Sequence, residues 1–196
     1  GFELAEDEFV NVNPLSAMFN PAMPTKVAHV IVSAFMTAAF MLASIAAFRR
    51  LRGSNHIYHK KALHLTMKLG LVFSIATLIV GDFSGKYLAE YQPEKLAAAE
   101  WLFETETHSP LILFGWLDEE GEIKYGVEIP YALSMLAYGH PAAEVTGLDQ
   151  FAEDEIPPLY IHQLFNIMIA IGMWLIFLPA LYRIGIKRKW SMVQSR

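Results

Sequence analysis

The segment Val80–Glu104, VGDFSGKYLAEYQPEKLAAAEWLFE, divides this chain into chemically different parts. An apolar segment ends where it begins, and a strongly acidic region starts within it. Because long uncharged segments lie on both sides of that region, we interpret it as a substrate-handling loop on the outer face of a membrane protein. The most informative short sequence is the run Glu94–Glu100, EKLAAAE.

The composition of the 196 residues is typical of a membrane protein. Hydrophobic residues make up 54% of the chain and charged residues only 18%, whereas soluble domains usually contain about 25% charged residues. The chain has no cysteine, which excludes disulfides, thiolate metal sites and a cysteine nucleophile. It begins at Gly1 with no signal peptide, and we expect this N-terminus to be cut from a longer protein.

Three segments are long and apolar enough to cross a bilayer, and we predict transmembrane helices at 26–49, 62–82 and 158–185. The first contains the 22 uncharged residues Val27–Phe48, which as a helix would span about 33 Å, enough for a bilayer core. Alanines at 39, 43 and 47 form a small-residue stripe that lets another helix approach closely. The predicted fold class is therefore an all-α membrane protein with a long ordered extracytoplasmic loop.

The charge distribution predicts the orientation of these helices. Basic residues concentrate at 49–61 and 183–189, whereas residues 83–158 carry fifteen acids against three lysines. By the positive-inside rule, the loop 50–61 and the tail 186–196 are cytoplasmic. The connecting segment 1–25 and the loop 83–157 are then outside. This pattern indicates no nucleic-acid partner; the expected surroundings are a lipid bilayer.

Residues 83–157 are too numerous for a plain connection, and loops of this length are usually functional or disordered. Their aromatic and aliphatic content favours an ordered loop. Residues 83–92 and 95–105 have helical composition, with Pro93 between them. Residues 111–114 and 124–129 are typical of a small hairpin, and residues 141–155 of an irregular loop or short helix.

His29 lies in the first outer turn of the first predicted membrane helix. It is either a helix-end histidine bonded to a carbonyl or headgroup, or an axial ligand of haem, since imidazole binds haem iron. A second ligand would come from another helix at similar depth, where His162 and Met168 are the candidates. Residue chemistry favours His162, because methionine commonly fills gaps in cores.

Lys95 and Glu100 stand five residues apart in the outer loop, about 140° apart around a helix. They are either solvated surface charges or a functional pair. In the functional reading, the cation orients a quinol oxygen and the carboxylate accepts its proton, since quinol oxidation requires a general base. Asp82 at the membrane boundary is a third candidate, or else a turn residue that caps the helix.

Seven short runs together resemble subunit I of the cytochrome bd quinol oxidases in its short-loop form. They occur in the order of that family and cover nearly the whole chain. The runs are Phe19-Asn20-Pro21, Lys26-Val27-Ala28-His29, Gly81-Asp82-Phe83-Ser84-Gly85, Lys95-Leu96-Ala97-Ala98-Ala99-Glu100, Leu113-Phe114-Gly115, Ile129-Pro130-Tyr131-Ala132-Leu133 and Phe165-Asn166-Ile167-Met168.

The resemblance implies a role for each candidate. His29 and Met168 would be the axial ligands of the low-spin b-type haem, in place of His162. Lys95 and Glu100 would bind and deprotonate quinol within the loop 83–157, with Asp82 beside them. Some relatives carry an arginine where this chain has Asn166, so another group would have to serve that arginine's role.

The resemblance also implies what the chain lacks. Oxygen would be reduced at further b and d haems held mainly by the remainder of subunit I, with a second integral membrane subunit as partner. The substrate would be ubiquinol or menaquinol, and the location the cell membrane of a prokaryote. The chain alone would not be a competent oxidase. The alternative is a non-redox membrane module for transport or assembly, without haem.

Overall fold

The computed structural model describes residues 3–5, 8–54, 56–118 and 121–189, and helices dominate this part of the chain. The helices are α1 (Pro14–Met18), α2 (Met23–Leu51), α3 (Ile57–Tyr91), α4 (Pro93–Glu100), α5 (Ala132–Tyr138) and α6 (Ile161–Lys187), with a short 3-10 helix at Leu148–Gln150. Four antiparallel pairs of short strands accompany them: β1 (Glu3–Ala5) with β2 (Glu8–Val10), β3 (Glu106–Thr107) with β8 (Glu144–Val145), β4 (Leu111–Leu113) with β7 (Val127–Ile129), and β5 (Trp116–Leu117) with β6 (Ile123–Lys124).

Helices α2, α3 and α6 are long and apolar enough to cross a membrane, with mean hydropathies of 2.2, 1.8 and 2.2 in their most apolar windows. The predicted fold class is confirmed. The tip of the predicted hairpin and most of the tail 186–196 lie outside the described residues.

Helix α2 packs closely along α3 through small side chains. Ala39, Ala43 and Ala46 of α2 are each at most 5% exposed. On α3, a Cβ added to Gly70 would lie 3.1 Å from the ring of Phe40. Residues without large side chains therefore let the two backbones approach, as the alanine stripe predicted, although Ala46 is more deeply buried than the predicted Ala47.

The sequence had suggested that the second membrane helix ends at Asp82. Helix α3 instead continues to Tyr91. Asp82 and Lys86 form an ion pair of 2.6 Å one turn apart, and such pairs support a helix. The alternative interpretation of Asp82 as a helix-capping residue is therefore wrong. No proline interrupts α3. The next proline, Pro93, begins α4, because the first turn of a helix tolerates its missing N–H.

The region between α3 and α6 has a hydrophobic core of its own. Its buried members come from the end of α3, from α4 and α5, and from the segments that follow them: Ala89, Leu96, Ala97, Ala98, Leu102, Leu133, Ala137, Val145 and Leu148. The Tyr138 hydroxyl donates to the carbonyl oxygen of Ala89 at 3.1 Å and thereby joins α5 to α3. This region is a packed unit placed at one end of the long helices.

The small hairpin predicted at 111–114 and 124–129 is confirmed, but a break divides it into two strand pairs. Leu111 pairs with Ile129 in the first, and Trp116 with Lys124 in the second. At the break, Phe114 has a φ of 59° and Gly115 a φ of 108°. Positive φ values turn the backbone out of the extended conformation, so the hairpin bends at these residues. The Phe114 carbonyl group is therefore not part of the hydrogen-bonded strand pairs.

Candidate functional site

Glu100 is a buried acid at the end of α4. Residues 96–100 of this helix are all buried, and Glu100 itself is 6% exposed. The helix ends because Trp101 adopts a left-handed conformation with a φ of 54°, so the predicted helical segment 95–105 is shorter than expected. The N–H of Leu102 donates to the Ala97 carbonyl at 2.9 Å and closes the helix end.

Burial raises the pKa of Glu100 from 4.5 to about 8. Desolvation disfavours the charged carboxylate, and the described residues form no ion pair with Glu100 that would offset it. The side chain is therefore mostly neutral at pH 7. A carboxyl whose pKa lies near the working pH exchanges protons readily, which suits a catalytic acid or base.

Lys95 lies on the other side of the same helix. Its side chain is exposed, and its Nζ donates to Gln92 Oε1 at 3.0 Å. The structure therefore does not pair Lys95 with Glu100, in line with their predicted separation around the helix. A cation tied only to a neutral amide keeps donors free for another partner.

Asp82 forms its ion pair with Lys86 on α3, not with Lys95 or Glu100. The two side chains are 37% and 42% exposed. A pair so open to solvent contributes little to stability. The structure thus leaves Asp82 on the surface of α3 and does not join it to the other two predicted residues.

His162 in the first turn of α6 is fully buried and hydrogen-bonded on both sides of its ring. Its Nδ1 lies 2.7 Å from the carbonyl oxygen of Ala99, and its Nε2 lies 3.0 Å from Nδ2 of Asn166. Nε2 also lies 3.3 Å from the Phe114 carbonyl oxygen. Neither nitrogen is open to a haem iron, which argues against the preference for His162 that residue chemistry alone had suggested.

Trp101, which the sequence interpretation did not single out, covers His162. The two rings stack, and Trp101 Nε1 donates to the Leu159 carbonyl oxygen at 2.8 Å. Trp101 is 1% exposed. A tryptophan directly after the candidate acid Glu100 was the signal available in the sequence, but its contacts with residues 58 and 61 positions later could not be inferred from spacing.

His29 of α2 has a buried nitrogen without a hydrogen-bond partner. Nδ1 of His29 is one of two such side-chain atoms in the described part of the chain; the other is Oε1 of Gln163. Unpartnered buried polar atoms are uncommon in native proteins and require an explanation. The imidazole fits a group that is bound outside the protein's own hydrogen-bond network.

A groove lies between α2 and Leu175 of α6, two helical turns after His29 and Met168. Met36 of α2 and Leu175 of α6 both line it, with apolar neighbours. His29 precedes Met36 by seven residues, and Met168 precedes Leu175 by seven. Seven residues complete about two helical turns, so each candidate ligand lies on the groove-lining face of its helix. Met168 is 54% exposed, and an imidazole and a thioether are donors of the kinds that bind haem iron.

A second groove lies at the N-terminal end of α6. Its walls are apolar or aromatic except for the side-chain amide of Gln163. The lining residues are Trp101, Trp116, Leu117, Leu159, Tyr160, Gln163 and Leu164. The groove begins at Trp101, the residue that follows Glu100. A planar aromatic molecule would find stacking partners there.

Comparisons with known proteins agree on one family. The family model for cytochrome bd terminal oxidase subunit I matches residues 1–195. The chain is 46% identical over 181 residues to a putative cytochrome bd menaquinol oxidase subunit I of Bacillus subtilis (strain 168), covering 90% of this chain and 41% of that protein. It is 31% identical over 190 residues to the cytochrome bd ubiquinol oxidase subunit 1 of the same organism, covering 90% and 40%.

A solved structure has the same fold. It is the bd oxidase from Geobacillus thermodenitrificans, which matches with a TM-score of 0.92 and 61% sequence identity, over 100% of this chain and 45% of that chain. The present chain thus spans less than half the length of the relatives that it matches.

Proposed function

The chain belongs to the cytochrome bd terminal oxidase subunit I family, and we propose that it carries the quinol-oxidising entrance of a respiratory quinol oxidase. The observation that carries this proposal is Glu100, a buried acid without an ion-pair partner among the described residues, with its pKa raised to about 8. The substrate is a quinol, either ubiquinol or menaquinol. Relatives named for each of the two are similar to this chain.

Glu100 accepts a substrate proton in this proposal. Oxidation of one quinol breaks two O–H bonds and releases two protons and two electrons. Glu100 takes one proton at a time as a carboxylate and passes it to the outer side. Its burial supports this role, because a base in a poorly solvated site with a raised pKa takes a proton more favourably than a solvated carboxylate does.

Lys95 binds and orients the quinol oxygen, and Asp82 lies beside the site. The exposed ammonium of Lys95 is held only by the neutral amide of Gln92, so it has donors left for a quinol oxygen. The ion pair of Asp82 with Lys86 is solvated and can rearrange at little cost. The apolar groove that begins at Trp101 offers a surface for the quinol ring.

His29 of α2 and Met168 of α6 would hold a low-spin b-type haem. Such a haem, when bound, would accept the electrons of the quinol, and His/Met ligation raises its reduction potential. The buried, unpartnered Nδ1 of His29 and the position of both residues on the groove-lining faces support this assignment. His162 is not a ligand in this proposal, because its ring nitrogens bond to protein groups.

The whole oxidase needs parts beyond this chain. We infer that oxygen is reduced at further b and d haems held mainly by the remainder of subunit I, with a second integral membrane subunit, and that the chain alone is inactive. The loop 83–157 is extracytoplasmic and the segments 50–61 and 186–196 are cytoplasmic in a prokaryotic cell membrane. The segregation of basic and acidic residues supports this orientation.

The test is a reduced-minus-oxidised difference spectrum of membranes that contain the full-length parent protein. We expect His29→Ala and Met168→Leu each to remove the low-spin b band. Met173→Leu is the matched control, because Met173 lies on the same helix with a nearly equal exposure of 53%, and it should keep the band. An unchanged band in both ligand variants would remove the haem from this chain and favour a non-redox membrane module.

A further inference from the structure

The first turn of α6 is one of the places where the outer region is attached to the membrane helices. His162 lies there, fully buried, and contacts backbone carbonyl groups from two other elements. One carbonyl belongs to Ala99, in the last turn of α4 and directly before Glu100. The other belongs to Phe114, at the break in the hairpin. A single side chain thus connects α6 with both halves of the outer region.

The hydrogen-bond partners define which nitrogen carries the proton. Nδ1 lies 2.7 Å from the Ala99 carbonyl oxygen, which only accepts, so Nδ1 donates. Nε2 then accepts from Nδ2 of Asn166 at 3.0 Å. Since Nε2 carries no hydrogen in this arrangement, it makes no hydrogen bond to the Phe114 carbonyl oxygen at 3.3 Å. In this arrangement the imidazole donates at Nδ1 and accepts at Nε2, and the bond to Ala99 is its shortest.

His162 also stands on the helix of the proposed haem ligand. Asn166 lies one turn after it, and Nδ2 of Asn166 donates both to the ring and to the backbone carbonyl of His162. Met168 follows after two more residues, so His162 and Met168 are about 9 Å apart along the helix axis. The short bond to Ala99 thereby connects the helix end that carries Glu100 with the helix that carries Met168.

We propose that His162 is a positioning residue for quinol oxidation, which keeps the proton acceptor Glu100 at a constant distance from the haem ligand Met168. This inference rests on the proposed function. One quinol must deliver its protons and electrons to two separate acceptors, and a displacement of about 1 Å between reacting groups can slow an enzyme about a hundredfold. Asn166 is part of the same arrangement, since it holds the imidazole in the tautomer that donates to Ala99.

Two amide substitutions in the full-length parent complex separate positioning from packing. The amide nitrogen of asparagine occupies the place of Nδ1 in histidine, whereas that of glutamine occupies the place of Nε2. His162→Asn therefore keeps a donor for the Ala99 carbonyl, and His162→Gln does not. Both variants lose the stacking on Trp101 equally, so they form a matched pair.

Steady-state oxidation of a soluble quinol provides the measurement. We expect His162→Gln to lower kcat by about tenfold or more with KM changed by less than about threefold, and His162→Asn to stay within about threefold of the parent. Both should retain the low-spin b band. Equal rates in the two variants, or loss of the band in both, would make His162 a purely structural residue and overturn the inference.

The two proposals fail in different ways. If His29→Ala and Met168→Leu remove the band while His162→Gln oxidises quinol at the parental rate, only the positioning role is wrong. If the ligand variants keep the band, the proposed function itself is wrong, whatever the rates of the His162 variants.

Discussion

The indole of Trp101 stacks on the imidazole of His162, with ring centroids 4.0 Å apart and planes inclined by 17°. This contact joins the residue that follows Glu100 to the first turn of α6. Trp101 also donates from Nε1 to the Leu159 carbonyl oxygen, so its ring has two attachments to the start of that helix. The end of α4 is consequently held by Trp101 on one side of Glu100 and by Ala99 on the other.

Replacing Trp101 tests the contribution of that attachment to stability. We expect Trp101→Phe to destabilise the full-length parent by about 1 kcal/mol, because stacking is retained and one hydrogen bond is lost. Trp101→Ala should cost about 3–5 kcal/mol, because it also removes a large buried ring. Thermal unfolding of the purified complex gives both values. Equal losses would mean that the ring itself contributes little.

Replacing the Glu100 carboxyl by an amide should abolish its proton transfer. We expect Glu100→Gln to lower quinol oxidation by about a hundredfold or more, because general bases contribute about 10²–10⁴-fold to rates, and to leave the low-spin b band in place. Glu104→Gln is the control, since Glu104 is an exposed acid four residues further along the chain. Steady-state kinetics with a soluble quinol measure the effect. A fully active Glu100→Gln variant would exclude this residue as the base.

The pH dependence of quinol oxidation should follow the raised pKa of Glu100. Its carboxyl is protonated below a pKa of about 8, and only the carboxylate accepts a proton. The value of kcat/KM should therefore increase with pH, by about tenfold per unit at most, and level off above about pH 8. The residual kcat/KM of the Glu100→Gln variant should not show this increase with pH. A parental profile that levels off near the ordinary pKa of a glutamate would show that Glu100 is not the titrating group.

Lys95 should affect substrate binding more than stability. Its side chain is exposed and bonded only to Gln92, so Lys95→Ala should change the free energy of unfolding by less than about 0.5 kcal/mol while raising KM for quinol. Lys86→Ala is the comparison, because it removes a lysine that already has a carboxylate partner, Asp82. Kinetics and thermal unfolding of both variants test this. An equal rise of KM in both would indicate a general effect of charge.

The membrane helices were predictable from sequence because apolar length is a local property. The uncharged run Val27–Phe48 defined α2 without knowledge of any contact. The end of α3 was harder to predict. The sequence suggested an end at Asp82, but the pair Asp82–Lys86 and the absence of proline from α3 let the helix continue to Tyr91.

The candidate site was predictable as a set of residue types but not as an arrangement. Residue chemistry already offered Glu100 as a candidate base, but it favoured His162 as the second ligand, and the resemblance to a family selected Met168 instead. Burial of Glu100 depends on a core built from α3, α4, α5 and the segments after them. Spacing in α4 indicated only that Lys95 and Glu100 point in different directions.

The sequence by itself determined that three apolar helices flank a long acidic region, because the length and polarity of each segment are sums over neighbouring residues. Only the tertiary structure decided that Glu100 is buried and that His162 bonds to Ala99, 63 residues away. Such contacts arise when distant segments pack together, and the physical reason is that burial, and with it the pKa of an acid, depends on neighbours that the local sequence does not contain.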